Sequence, residues 1–184
     1  MPQQTPRVPP LPVADFSERQ KTLVGDWTEM NFARVTVRHP DMYELFLPYL
    51  ARLIRNTSLP PRDREIVILR ILALAGETYE AEHHVNIALN AGMSAAEIDA
   101  VKGSGSGLSE FDHLLMLAVE ELMGDFVIGD PTWAGLSQEY SETQLMELVF
   151  LVGCYCTMGM LTKTFQIQLE EHADTSFQQL RDYT

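Results

Sequence analysis

From about Ser17 onward, apolar positions recur at helical spacing, and no alternating run bounded by turn residues competes with them. The pattern therefore predicts an all-α protein. Pro40 can open a helix running to about Arg55. The Pro60-Pro61 pair can open the next, "RDREIVILRILALA", which Gly76 can close. Ser94 to Glu97 ("SAAE") and Ser141 to Gln144 ("SETQ") both have capping-box spacing, each ahead of an apolar run. The "GSGSG" stretch, 103–107, is expected to be a flexible connection into the amphipathic "SEFDHLLMLAVEELM". Half of the ten prolines lie in the first twelve residues, so 1–16 is expected to be an extended arm and 17–184 a single helical domain.

Within this helical frame, "ETYEAEHH" concentrates groups capable of proton transfer. Positions i, i+3 and i+7 of a helix share a face, which puts Glu77, Glu80 and His84 in one stripe continued by Ile87, Ala88 and Ala91. His83 is rotated about 100° away. It lines up with Tyr79, Asn86 and Asn90 on what is expected to be a polar face, while Ala81, Val85, Ala88 and Leu89 supply the side facing the core. A carboxylate one turn before an imidazole can fix its tautomer and raise its basicity, which suits a general acid or base. Three readings follow: a catalytic stripe, a metal site, or a solvated helix face. The metal reading lacks ligands, since a closed site needs three or four and no second His or Cys pair at ligand spacing is present.

Glu65 is a carboxylate on an otherwise apolar stripe with Ile68, Leu69 and Leu72, and a buried carboxylate needs a partner. An arginine, Arg64 or Arg70, is one option. His84, brought across the hairpin that Gly76 allows, is the other.

Charge narrows the range of partners. Thirteen basic against twenty-six acidic residues give a net charge of −13, which repels phosphate backbones and anionic lipid, so neither nucleic acid nor membrane is an expected partner. The N-terminus has no apolar stretch behind a basic start, so a cytoplasmic location is expected. Cys154 and Cys156, two apart on a helix, point to nearly opposite sides and cannot bond to each other there; both read as small buried residues.

The segment "LPPRDREIVILRILALAGETYEAEHHVNIALNAGMSAAEIDAV" resembles the core of the carboxymuconolactone decarboxylase-like family, which shares the alkylhydroperoxidase D fold. The likeness extends outward through "RVPPLP", "NFARVTVRHPDMYELFLPYL", "DPTWAGLS" and "LMELVFLVGCYCTMGMLTKTF". It implies a helical bundle that forms a homo-oligomer (dimer, trimer or hexamer), with the motif helix lining a pocket near subunit contacts. The hydroperoxidase branch of the family carries a Glu, a C-x-x-C pair and a His, which fall here on Glu65, on Glu77 and Glu80 in place of both cysteines, and on His84. The pieces retained suit acid/base work without sulfur, metal or cofactor. The expected site is therefore His84, Glu80 and Glu65 as catalytic groups, with His84 oriented by Glu80. Glu77, Tyr79, Arg70 and Tyr155 would contact a small cyclic acid, lactone or enone in a lyase or isomerase reaction. Thiol-dependent peroxide reduction at Cys154 or Cys156 is the alternative, and a non-catalytic oligomer that binds small molecules is the third.

Overall fold

The computed structural model describes residues 5–170. Nine α-helices are present among them and no strand. They are α1 (Glu18–Val24), α2 (Asn31–Thr36), α3 (Pro40–Arg55), α4 (Pro61–Ala75), α5 (Tyr79–Asn90), α6 (Ala95–Lys102), α7 (Glu110–Asp125), α8 (Asp130–Glu139) and α9 (Glu142–Phe165). Ser94 and Ser141 open α6 and α9 with full capping boxes, as their spacing predicts, and Ser17 and Ser109 do the same for α1 and α7.

Helix α4 is the axis of the bundle because it is apolar nearly all round, and such a helix is stable only when covered on every side. Arg64 through Leu69, Ile71 and Leu72 are all buried, against α5, α6, α7 and α9. Gly76 stops it in the left-handed region at φ 58°. The Gly76 and Glu77 amides then return to the Ala73 and Leu72 carbonyls, at 3.1 and 2.9 Å, satisfying two carbonyls at the helix end. This sharp reversal sends α5 back along α4.

Helix α9, 24 residues long, is long and apolar enough to cross a bilayer by length and composition; half of its apolar stretch is buried in the fold, packed chiefly on α4. A second, smaller core of Phe16, Val24, Met30, Ala33, Val37 and Tyr43 is built from the N-terminal helices and the start of α3.

Two local expectations change. The 103–107 stretch is a compact turn rather than a flexible connection: the Gly105 amide donates to the Ala100 carbonyl at 2.8 Å. Gly105 also packs so closely on His113 that an added Cβ would stand 2.6 Å from the imidazole. In the proline-rich arm, residues 1–4 lie outside the described part, and the remainder lies on its own chain. The Arg7 and Leu11 amides donate to the Phe165 and Arg34 carbonyls, and Val8 and Leu11 pack on the two cores.

Candidate active site

The site is organised by His84 on α5, both of whose ring nitrogens are engaged. Nδ1 lies 2.6 Å from Glu65 Oε2 on α4, and Nε2 lies 2.8 Å from the Tyr155 hydroxyl on α9. Behind Glu65, the Arg64 Nε donates to Oε1 at 2.9 Å, and the Arg64 Nη1 is spent on the Ile54 carbonyl. Glu65 thus meets both of the partners its apolar surroundings demand. Its burial alone would raise its pKa, but the His84 imidazole and the Arg64 guanidinium outweigh this and hold it below the ordinary value. Because Glu65 is an acceptor, Nδ1 carries the proton, and in the neutral ring Nε2 accepts from the Tyr155 hydroxyl. Burial, then the Glu65 and Glu80 charges, push the Tyr155 phenol well above its ordinary pKa, so it rests as a neutral donor.

This chain of three groups ends at the wall of a pocket of about 140 Å³ at the seam between the two cores. Met30, Ala33, Tyr43 and Leu47 come from the smaller core; Phe32, Leu50, Ile54 and Met158 come from the larger. Glu80, His83, His84 and Tyr155 supply its proton-active groups, and Arg55, stacked over the Trp27 ring at 5.6 Å, supplies a cation.

Glu80 shares the buried face with His84, as the stripe predicts, but does not orient the imidazole, since Glu65 and Tyr155 already occupy both nitrogens. Its Oε1 is buried with no hydrogen-bond partner among the described residues. Burial, with the Glu77 and Glu170 charges nearby, pushes its pKa well above the ordinary carboxyl value.

The remaining expected contacts lie elsewhere. Glu77 caps α5: its carboxylate accepts from the amides of Tyr79, Glu80 and Ala81 at 3.0, 2.8 and 3.3 Å, work the Thr78 side chain leaves undone. An anion there suits the positive end of a helix dipole. The Tyr79 hydroxyl is committed to Glu170 Oε1 at 2.6 Å and to the Phe32 amide at 3.1 Å, which keeps it out of the pocket wall. Arg70 also stays away from the pocket; it pairs with Glu120, and its Nη1 donates to the carbonyls of Val101 and Gly103 at 3.1 and 2.7 Å, fastening α4 to α7 and to the end of α6.

The polar-face expectation for His83 is corrected as well. His83 and Tyr79 are buried, with ring centroids 4.7 Å apart, whereas Leu89 is 45% exposed. The reason lies in the chain beyond α9. Gln166 turns it back, and Glu170 reaches the Asn31 amide at 2.7 Å, the Tyr79 hydroxyl, and His83 Nε2 at 3.3 Å. That segment covers a second face of α5. Nothing in the sequence marks Glu170, one of two adjacent acids beyond the last apolar helix, and the pocket-lining Trp27, Phe32, Tyr43 and Leu47 read there only as ordinary apolar positions.

Cys154 is buried, and its thiol is pushed up to about 12 by burial and by Glu80; Cys156 is half-buried and also raised by burial. Among the described residues no three His, Cys, Asp or Glu side chains are grouped so as to hold a metal ion.

The fold is similar to that of solved alkylhydroperoxidase D-like (AhpD-like) helical proteins. A peroxidase-related protein from Silicibacter sp. TM1040 superposes with a TM-score of 0.74 at 11% identity, covering 96% of this chain and 98% of that one. A peroxidase-related protein with an alkylhydroperoxidase AhpD core from Ralstonia eutropha JMP134 gives 0.73 at 13%, covering 90% and 94%. A protein of unknown function from Agrobacterium tumefaciens, described as of the AhpD antioxidant defence type, gives 0.65 at 16%, covering 73% and 94%. At these identities the likeness is one of fold. Residues 40–106 match the family model of the carboxymuconolactone decarboxylase family, so the resemblance carried by the α4–α5 segment is shown. No curated protein matches the chain.

Proposed function

We infer that the protein is an acid/base enzyme of the lyase or isomerase type, acting next to a carbonyl in a small cyclic compound, with its own side chains carrying the proton. The supporting observation is the Glu65–His84–Tyr155 chain, which ends in an apolar pocket. The Tyr155 oxygen takes a proton from the carbon next to the substrate carbonyl as its own proton passes to His84 Nε2. The resulting imidazolium is held by the Glu65 carboxylate. The electron pair left on carbon moves into the carbonyl, and Glu80, as a carboxylic acid, donates a hydrogen bond to the developing enolate oxygen. Return of the proton to another carbon gives isomerisation. If a carboxyl group or other leaving group departs from the substrate, the outcome is lyase chemistry.

A thiol peroxidase is the second reading, and the alkylhydroperoxidase-like fold is what favours it. Against it stand Glu77 and Glu80 at the two thiol positions of the motif and the raised pKa of Cys154, since the thiolate is the reactive form.

Turnover of lactones and enones by the wild type and by His84→Ala tests the inference. A general base contributes about 10²–10⁴-fold, so a loss of at least 10²-fold is expected. Turnover within about tenfold of wild type would overturn it.

A further inference from the structure

The pocket carries two polar groups that the fold does not satisfy. Glu80 is 5% exposed and Tyr43 is 4% exposed, and neither Glu80 Oε1 nor the Tyr43 hydroxyl has a partner among the described residues. Both side chains line the pocket, Glu80 from α5 and Tyr43 from α3, and most of the other lining residues are apolar. Leaving such groups unpaired costs free energy, which a ligand that pairs them recovers.

The sign of that ligand follows from the charges around Glu80. The groups that interact electrostatically with Glu80 are Glu77, Tyr79, Cys154, Tyr155 and Glu170, with His83 and His84 beside it in the pocket wall, and none is a permanent cation; the arginine lining that wall, Arg55, is stacked on Trp27. Arg64 faces Glu65 and the Ile54 carbonyl. A carboxyl group buried without a cation keeps its proton, which makes Glu80 a hydrogen-bond donor. Tyr43 is likewise a neutral donor, its phenol pushed up to about 12 by burial. A ligand carboxylate placed between them would be stripped of water with no counter-charge at that end; a carbonyl oxygen accepts from both and brings no charge.

We propose that the pocket binds an uncharged, apolar cyclic carbonyl compound, an enone or lactone, whose oxygen accepts hydrogen bonds from Glu80 as a carboxylic acid and from Tyr43. This proposal rests on the acid/base reading, removes cyclic acids from its substrate range, and gives Tyr43 a part in ligand binding.

The test is equilibrium binding, which needs no turnover. Trp27 lines the pocket and serves as the fluorescent reporter once the exposed Trp133 is replaced by Phe. In that background, cyclohex-2-enone and cyclohex-1-enecarboxylate are titrated at pH 7 into the parent, Glu80→Gln, Glu80→Leu and Tyr43→Phe, each checked for native helix content. The enone is expected to bind at least tenfold more tightly than the carboxylate. Glu80→Gln, whose amide still donates, should bind it within threefold of the parent. Glu80→Leu and Tyr43→Phe should each weaken it by about tenfold, roughly 1.4 kcal/mol. Equal or tighter binding of the carboxylate, no binding of the enone, or enone affinity unchanged in both Glu80→Leu and Tyr43→Phe would overturn the proposal. An enone that binds as expected but is turned over equally by the wild type and His84→Ala leaves this proposal standing and defeats the acid/base reading.

Discussion

The Tyr155 hydroxyl stands 2.8 Å from His84 Nε2, and this contact ties α9 to α5 at the point where Glu65 on α4 holds the other ring nitrogen. Three helices thus fix a single imidazole. Both rings are buried and meet edge to face, with centroids 5.1 Å apart. Such a ring has one orientation and one neutral tautomer, the condition for moving a proton in one direction.

Glu65 should be the most expensive side chain of the site to remove. Glu65→Ala leaves the buried Arg64 without its carboxylate and His84 Nδ1 without its acceptor. A loss of about 3–5 kcal/mol is expected, as for a buried pair broken on one side. Glu65→Gln, which keeps the volume, should lose less. Urea midpoints at pH 7 give both values, and a Glu65→Ala loss below about 1 kcal/mol would contradict the buried pairing.

Glu80 should leave a mark on stability against pH. Its folded pKa is raised, chiefly by burial, so between the ordinary 4.5 and that higher value the folded chain keeps a proton the unfolded chain has released. Stability then falls as pH rises through this window, by up to about 1.4 kcal/mol per pH unit, and below the window the effect is fully present and flat. Glu65, lowered in the folded state, acts the other way: its contribution is present above 4.5 and is lost as pH falls through its folded value. Glu80→Gln should therefore gain on the wild type in denaturant titrations as pH rises above 4.5 toward the raised folded value. Parallel curves would mean that Glu80 titrates normally.

Arg70 should matter for stability and not for chemistry. Its guanidinium joins Glu120 to the carbonyls of Val101 and Gly103, away from the pocket. Arg70→Met should cost about 1–3 kcal/mol in unfolding free energy. Enone affinity and turnover should stay within twofold of wild type, and a selective loss of either would return Arg70 to the site.

Arg70 also shows where sequence reading reaches its limit. Its position beside the motif made it the natural cation for a substrate, yet the fate of a long side chain depends on which carbonyls the fold leaves open nearby, here at the end of α6. What local rules govern was legible: the capping boxes at Ser94 and Ser141, the stop at Gly76, and the shared face of Glu80 and His84. Glu65 meeting His84 was legible as one of two options, because an apolar stripe can say only that its carboxylate needs a partner. His83 was misread because helical spacing records one helix, while its burial comes from Glu170, 87 positions later. The Tyr43 side of the pocket was illegible for the same reason, since two cores must meet before there is a seam between them.

The most direct test of the proton chain is the turnover of an enone or lactone substrate by Tyr155→Phe beside the wild type, across the pH range in which both stay folded. Removing one oxygen leaves the pocket shape intact and takes away the group that contacts the substrate. The account predicts a fall of about 10²-fold or more in kcat with KM little changed, the signature of a lost acid/base step. A variant that keeps kcat within about tenfold of wild type would contradict it.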